Sequence, residues 1–417
     1  MSKNSGDKLP TEAYRGVRDF YPEDQALLNY VTTTWREVVG RFGYVEYHAS
    51  VLEPSELYKA KGVENEEIIR DQSYSFVDRG GREVTLRPEM TPTVARMVAA
   101  RRREFGYPLR LYSIPNVFRY ERPQRGRLRE HWQLNVDLFG SRAAAADAEL
   151  IEIAYEVMKA LGAREEDFVI GVNSRAHLNV LINKLGLDDV AGRALMALLD
   201  RQGKMPPAEF SQELAKLGLT EAQIKSGEAP KDVEEVLGIV RQLGVDNARF
   251  DHSVVRGFDY YTGVIFEITD AHPDNNRTMF GGGRYDNLTA LFDNEPLPGV
   301  GFGMGDVTVR DFLEVRGLLP PYAPPTKVYV AVASAGMVQA AMQLADELRT
   351  QGVAVAVDFG ERKLGDQIKT ADKHKIPWLI VVGQDELSSG TFSIKNLASG
   401  TEEKMNRSQL AQFFLNL

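Results

Sequence analysis

The chain has 417 residues, 43% hydrophobic and 26% charged, with a formal net charge of −9, six histidines and no cysteine. That size buries a large core and predicts two or three domains; the cysteine count excludes disulfides and thiolate metal sites, and the acidic balance excludes a purely electrostatic nucleic-acid binder. No apolar run approaches the roughly 18 residues of a membrane span, and MSKNSGDKLP lacks the apolar stretch of a leader, so the expected location is cytoplasmic with no membrane partner.

FYPEDQALLNYVTTTWREVVGRFGY reads as an amphipathic helix, with Val31, Trp35, Val38 and Phe42 at helical spacing, Pro22, Glu23 and Asp24 in its first turn and Gly43 at its end. An extended piece follows from Tyr44 to Leu52, then the strand-like runs YSFVD and EVTLRPE. A helix over about 92–103 carries the basic run RMVAARRR, which suits a solvated face or an RNA-facing one. Next, FRYERPQRGRLREHWQLNVDLFG sets five arginines within eleven residues. Trp132, Leu134, Val136 and Leu138 alternate with Gln133, Asn135 and Asp137, the period of a half-buried strand, and NVFRYE supplies a partner across a polar loop. The pattern predicts an antiparallel hairpin with polar groups on one face and cations at its mouth.

Residues 174–245 read as a mostly helical insertion, with LINKLGL, RALMALLDRQG, AEFSQELAKLGL and VEEVLGIVRQLG between two strand-rich regions. Strand patterning returns in VVRGFDYYTGVIFEIT, and the glycine clusters FGGGRYDNL and GVGFGMGD follow. LPPYAPPT forms a proline-rich linker. Beyond it KVYVAVA, a helix over 336–350, VAVAVD, a helix over 362–374 and WLIVVG alternate as a separate α/β domain.

The histidines lie too far apart in sequence for a local ligand pair, so no protein-built metal site is expected. GVGFGMGD lacks the Lys-Ser/Thr of a phosphate loop, and no G-x-G-x-x-G sits between a strand and a helix. Arginine remains: Arg119, Arg127 and Arg129 in the hairpin, Arg256 before a tyrosine pair and Arg284 after three glycines. Guanidinium forks match phosphate oxygens bidentately, so a triphosphate held on an antiparallel sheet fits better than one cradled at a helix end.

FRYERPQRGRLREHWQLNVD resembles motif 2 of the class II aminoacyl-tRNA synthetases, and TLRPEMTP resembles the amino-acid-binding segment upstream of it. VVRGFDYYTG and FGGGRYDNL resemble the signature peptides of the histidyl-tRNA synthetase family in particular, GVGFGMGD the start of motif 3, and residues 22–53 motif 1, the dimer interface. The resemblance covers nearly the whole chain in family order. It implies an α+β catalytic domain over 1–320, on a mostly antiparallel sheet flanked by helices with the insertion at about 174–245. A linker over 321–326 and a C-terminal α/β anticodon-binding domain over 327–417 complete it.

The same resemblance implies a homodimer that takes ATP with Mg²⁺, L-histidine and tRNA(His). Arg119 would meet the α-phosphate and the substrate carboxylate, with Arg256 opposite it. Arg127 would reach the outer phosphates and Glu121 the adenine. Glu89, Thr91 and Gln133 would hold the α-amino group, and Asp137 and Tyr261, with Tyr260 beside it, would read the imidazole.

Two positions depart from the family pattern. Motif 3 normally ends with an arginine over the γ-phosphate, but GMGDVTVRDF has Thr308 in that region and Arg310 two residues late, rotated by about 200° on a helix. Either another cation serves that phosphate or the contact is missing. Asp137 stands where many bacterial members carry Glu. The motif 3 departure keeps open a synthetase-like paralogue that regulates ATP phosphoribosyltransferase, and a third reading is another class II synthetase such as the threonyl or prolyl enzyme.

Overall fold

The computed structural model describes residues 9–60, 72–202, 205–225, 228–256, 260–275, 277–293, 295–360 and 362–416. Residues 1–8, on which the leader argument rests, and 257–259 within VVRGFDYYTG lie outside them. The chain divides into two units, residues 1–319 and 320–417.

The first unit opens with the helix Pro22–Arg41, which has Pro22, Glu23 and Asp24 in its first turn and buries Val31, Trp35, Val38 and Val39. Proline costs nothing where the N–H has no partner, and acidic groups suit the positive helix end. Its strands are β1 (Val45–Glu46), β2 (Leu52–Pro54), β3 (Tyr74–Val77), β4 (Glu83–Leu86), β5 (Leu109–Ser113) and β6 (Asn116–Phe118). After these come β7 (Glu130–Phe139), β8 (Phe168–Ser174), β9 (Ala248–Phe250), β10 (Val264–Asp270), β11 (Thr278–Arg284) and β12 (Gly299–Gly305).

Nine strands make one sheet in the order β1-β5-β7-β12-β11-β10-β8-β9, with β6 paired to β7. Only β1 with β5 and β8 with β9 run parallel, so the sheet is mostly antiparallel. β2, β4 and β3 form a small separate sheet. The expected hairpin is present: Asn116 pairs with Trp132 and Phe118 with Glu130.

Period-two alternation sorts side chains between two cores. Leu134, Val136, Leu138, Val264, Phe266 and Ile268 pack against the helices Pro22–Arg41, Ala144–Ala160 and Lys231–Gln242. On the opposite face Phe139, Ile265, Tyr260 and Tyr285 meet the helix Thr91–Ala100 and the helices Arg175–Lys184, Asp189–Asp200 and Pro207–Lys216.

This second layer corrects the reading of β7 as half-buried. Asn135 and Asp137 are each 2% exposed, because their face is covered rather than open to water. The glycine clusters form most of β11 and β12.

The second unit has strands β13 (Val328–Val332), β14 (Val355–Val357), β15 (Trp378–Val382), β16 (Thr391–Asn396) and β17 (Glu402–Asn406) in the order β14-β13-β15-β16-β17. β14, β13 and β15 are parallel, as the β-α-β-α-β pattern requires. β16 and β17 add an antiparallel edge, closed by the helix Arg407–Leu415. Among the described residues no helix is long and apolar enough to cross a membrane.

Candidate active site

The covered face of the sheet holds a cavity of about 460 Å³ walled by the 119–129 loop, β7, β10, β11, β12 and the segment after Val255. Five arginines (Arg119, Arg125, Arg127, Arg256 and Arg277) and three glutamates (Glu89, Glu121 and Glu267) line it.

Backbone carbonyls and carboxylates hold these arginines in place. Arg119 continues the hairpin through its N–H to the Arg129 carbonyl, and its Nε donates to the Pro88 carbonyl at 2.9 Å, which sets the guanidinium beside Glu89. Arg127 is 3.5 Å from Glu121 across the loop. Arg256 has a left-handed backbone, φ 58°. An arginine adopts that conformation only when its surroundings hold it there. Here Nη2 donates to the Gly281 carbonyl at 3.1 Å and Nη1 to Glu267 at 3.3 Å.

Across from the cations stands a buried polar set. Tyr260 donates to Glu89 Oε2 at 3.1 Å. Burial pushes the Glu89 carboxyl up to about 7, with Arg119, Tyr260 and Arg256 pulling the other way. Thr91 is the first residue of its helix and lines the cavity with Gln133, Tyr260 and Tyr261.

Asp137 lies beneath that wall rather than on it. Its Oδ1 accepts the Tyr285 hydroxyl, and Tyr285 is what reaches the cavity. Asp137 Oδ2 has no hydrogen-bond partner among the described residues, and burial raises this carboxyl to about 7 as well. A buried acceptor without a donor is costly, so Asp137 is poised to take one.

Glycines in β12 make the floor possible. A Cβ on Gly301 would lie 2.6 Å from Asp137 Oδ1, and one on Gly303 would lie 2.2 Å from Gln133 Nε2. Any side chain there would occupy the space the polar set needs.

Two expected phosphate ligands lie elsewhere. Arg284 is buried against Asp147, with a second carboxylate, Asp286, at 3.2 Å. Arg129 stacks on Tyr120, 3.9 Å from ring centre to Cζ, and donates to Tyr14 and to the Arg15 carbonyl. Both have their charge or donors used by the protein itself. Arg310 also points away, pairing with Asp24 at 2.8 Å.

Sequence reasoning missed Tyr285, Glu267, Arg277 and His131, all on the cavity wall. Tyr285 and Arg277 border the glycine cluster, and His131 precedes Gln133 by two residues, which was the available signal. Burial and the neighbouring Arg119 push His131 down to about 3, so its imidazole stays neutral. Among the described residues no group of three His, Asp or Glu forms a metal centre.

A mostly antiparallel sheet with its cations on a hairpin loop and on the segments that lead into its strands, rather than at a helix N-terminus, is the arrangement of the class II aminoacyl-tRNA synthetase catalytic fold. A sequence model of the family described as histidyl-tRNA synthetase matches residues 16–213 and 174–307, and one described as anticodon binding domain matches residues 327–417. A histidine–tRNA ligase from Leptospira biflexa is 41% identical over 97% of both chains. The crystal structure of histidyl-tRNA synthetase from Nostoc sp. PCC 7120 superposes with a TM-score of 0.81, 25% identity, and coverage of 98% of this chain and 100% of that one. An ATP phosphoribosyltransferase regulatory subunit/histidyl-tRNA synthetase from Bacillus halodurans shares the fold, with a TM-score of 0.68, 24% identity and coverage of 92% and 97%. The chain belongs to the histidyl-tRNA synthetase family.

Proposed function

We propose that the protein ligates L-histidine to tRNA(His) in two steps. A carboxylate oxygen of histidine attacks the α-phosphorus of ATP, the bond to the β-phosphate breaks, and histidyl-adenylate and pyrophosphate form. The terminal ribose 3′-hydroxyl of the tRNA then takes the histidyl group and releases AMP. Neither step needs a side-chain nucleophile, so positioning and charge stabilisation supply the rate.

The observation that carries this reading is one cavity that brings five guanidinium groups together with the acceptors Glu89, Thr91 and Gln133. In it Arg119 and Arg256 flank the α-phosphate, Arg119 also meets the substrate carboxylate, and Arg127 takes outer phosphates. Glu121 receives the adenine amino group. Glu89, Thr91 and Gln133 bind the ammonium, which offers three donors and needs acceptors. Asp137 and Tyr261 read opposite nitrogens of the imidazole, with Tyr260 packed alongside. Tyr285 already satisfies one Asp137 oxygen and stands between Asp137 and the cavity, so the ring N–H reaches Oδ2 once the wall shifts as histidine binds. Mg²⁺ arrives as part of the nucleotide substrate.

The anticodon-binding match over 327–417 supports a tRNA acceptor, and the histidyl-tRNA synthetase match supports tRNA(His) as that acceptor. Val45, Leu52, Phe76 and Val77 expose 42–66% of their surface around the short strands of the first unit, which suits a homodimer face. The test is histidine-dependent exchange of pyrophosphate into ATP across an amino-acid panel. Exchange with histidine alone supports the enzyme. No exchange with any amino acid would favour a regulatory paralogue, and exchange with threonine or proline would reassign the substrate.

A further inference from the structure

We infer that Arg277 supplies the cation for the outermost phosphate that position 308 does not. The inference rests on the ATP site proposed above. Thr308 lines the cavity, but its hydroxyl is turned to the backbone, 3.0 Å from the Met279 carbonyl and 3.2 Å from that of Gly305. It brings no charge. One turn further along the helix Asp306–Val315 comes Asp311, three residues on and therefore on the same helix face. The Asp311 carboxylate holds the Arg277 guanidinium. A cation anchored there occupies the neighbourhood an arginine at 308 would reach.

Arg277 is placed on its other side by the 119–129 loop. Its Nη1 donates to the Arg125 carbonyl at 2.8 Å. The guanidinium lies so close over Gly126, at φ 76°, that a Cβ there would stand 2.3 Å from Nη1. The group is thus wedged between loop and helix at the cavity edge.

Two features leave it able to take an anion. A guanidinium has five N–H donors, the two contacts above use only two of them, and 30% of the side chain stays exposed. Arg125 Nε is also 3.9 Å from the same Asp311 carboxylate, so two positive charges share one negative one and a surplus remains. A phosphate oxygen satisfies that surplus without breaking the anchor.

The test compares wild type with Arg277→Gln, Arg277→Lys and the double variant Arg277→Gln/Thr308→Arg. It uses pyrophosphate exchange, calorimetric ATP binding and thermal melting. Arg277→Gln should weaken ATP, in Kd and KM, by about tenfold to a hundredfold, with the histidine KM and the melting temperature little changed. Lysine should fall between, since it keeps the charge and loses the fork. Arginine at 308 should restore ATP affinity to the Gln variant. Unchanged ATP affinity in Arg277→Gln overturns the inference, as does a loss shared equally by ATP and histidine together with a lowered melting temperature. Wild type that binds no ATP overturns the underlying site instead, whatever the variants do.

Discussion

Asp137→Asn should gain stability relative to the wild-type empty protein as pH rises through neutrality, while abolishing histidine activation. Asp137 is 2% exposed with one oxygen bonded to Tyr285 and the other unpartnered. Burial raises its carboxyl from 3.8 to about 7. A carboxyl raised on folding contributes its full stability below the unfolded pKa and loses it as pH rises through the folded one. The window therefore runs from about pH 4 to just above pH 7. Three pKa units at about 1.36 kcal/mol each set an upper bound of about 4 kcal/mol, and side-chain relaxation and water entry bring it to about 2–4 kcal/mol.

Asparagine keeps the acceptor for Tyr285 and cannot ionise, but its buried amide N–H groups cost about 1–3 kcal/mol at every pH. The pH-independent cost sets the offset between the two proteins, and the mutant should gain stability relative to wild type as pH rises from about 5 to about 8.5. Part of the loss is already complete at about pH 5, which leaves at most about 2.7 kcal/mol between there and about pH 8.5; for a unit of this size the unfolding entropy is about 0.7 kcal/mol/K, so the difference in melting temperature between mutant and wild type should rise by about 2–4 °C across that range. Glu89 titrates in the same window in both proteins and cancels in the comparison. Calorimetry of ligand-free protein reads the shift. A difference that stays constant with pH would refute the assignment of a buried, ionisable Asp137.

Arg256→Ala should slow adenylate formation about a hundredfold to a thousandfold with the fold intact if, as proposed, Arg256 meets charge developing at the α-phosphate; near-normal pyrophosphate exchange would remove it from the mechanism. Gly301→Ala should raise the histidine KM far more than the ATP KM, because the new Cβ lands 2.6 Å from Asp137 Oδ1 and 2.8 Å from the Tyr285 hydroxyl. Equal effects on both substrates would show that the floor of the cavity does not face histidine. Phe76→Glu with Val77→Glu should yield a monomer in sedimentation experiments if the exposed strand residues form the dimer face, and an unaltered sedimentation coefficient would locate that face elsewhere.

The hairpin was legible because its signal is local. Leu134, Val136 and Leu138 alternate with polar residues over a strand long enough to read, and the partner strand is 12 residues away from Glu130 at Phe118. The parallel part of the second unit was legible for a similar reason: β13 is uniformly buried and reads as a continuous apolar run. β17 was not. Its sequence EEKMN is exposed nearly throughout and has no apolar face, so only pairing with β16 makes it a strand. β11 escaped notice because three successive glycines carry no alternation, although Met279, Phe280 and its neighbours are buried in the sheet.

The sequence alone determined the order of the motifs, the hairpin with its run of arginines, and the kinship with synthetases, since each is written in adjacent residues. Which arginines keep a free charge was decided only in three dimensions. Arg284 meets Asp147 from 137 positions away, Arg129 meets Tyr14 from 115 away, and Arg277 reaches the cavity edge through Asp311, 34 residues on. A guanidinium is defined by its counter-ion, and counter-ions brought together by folding have no local spacing to be read.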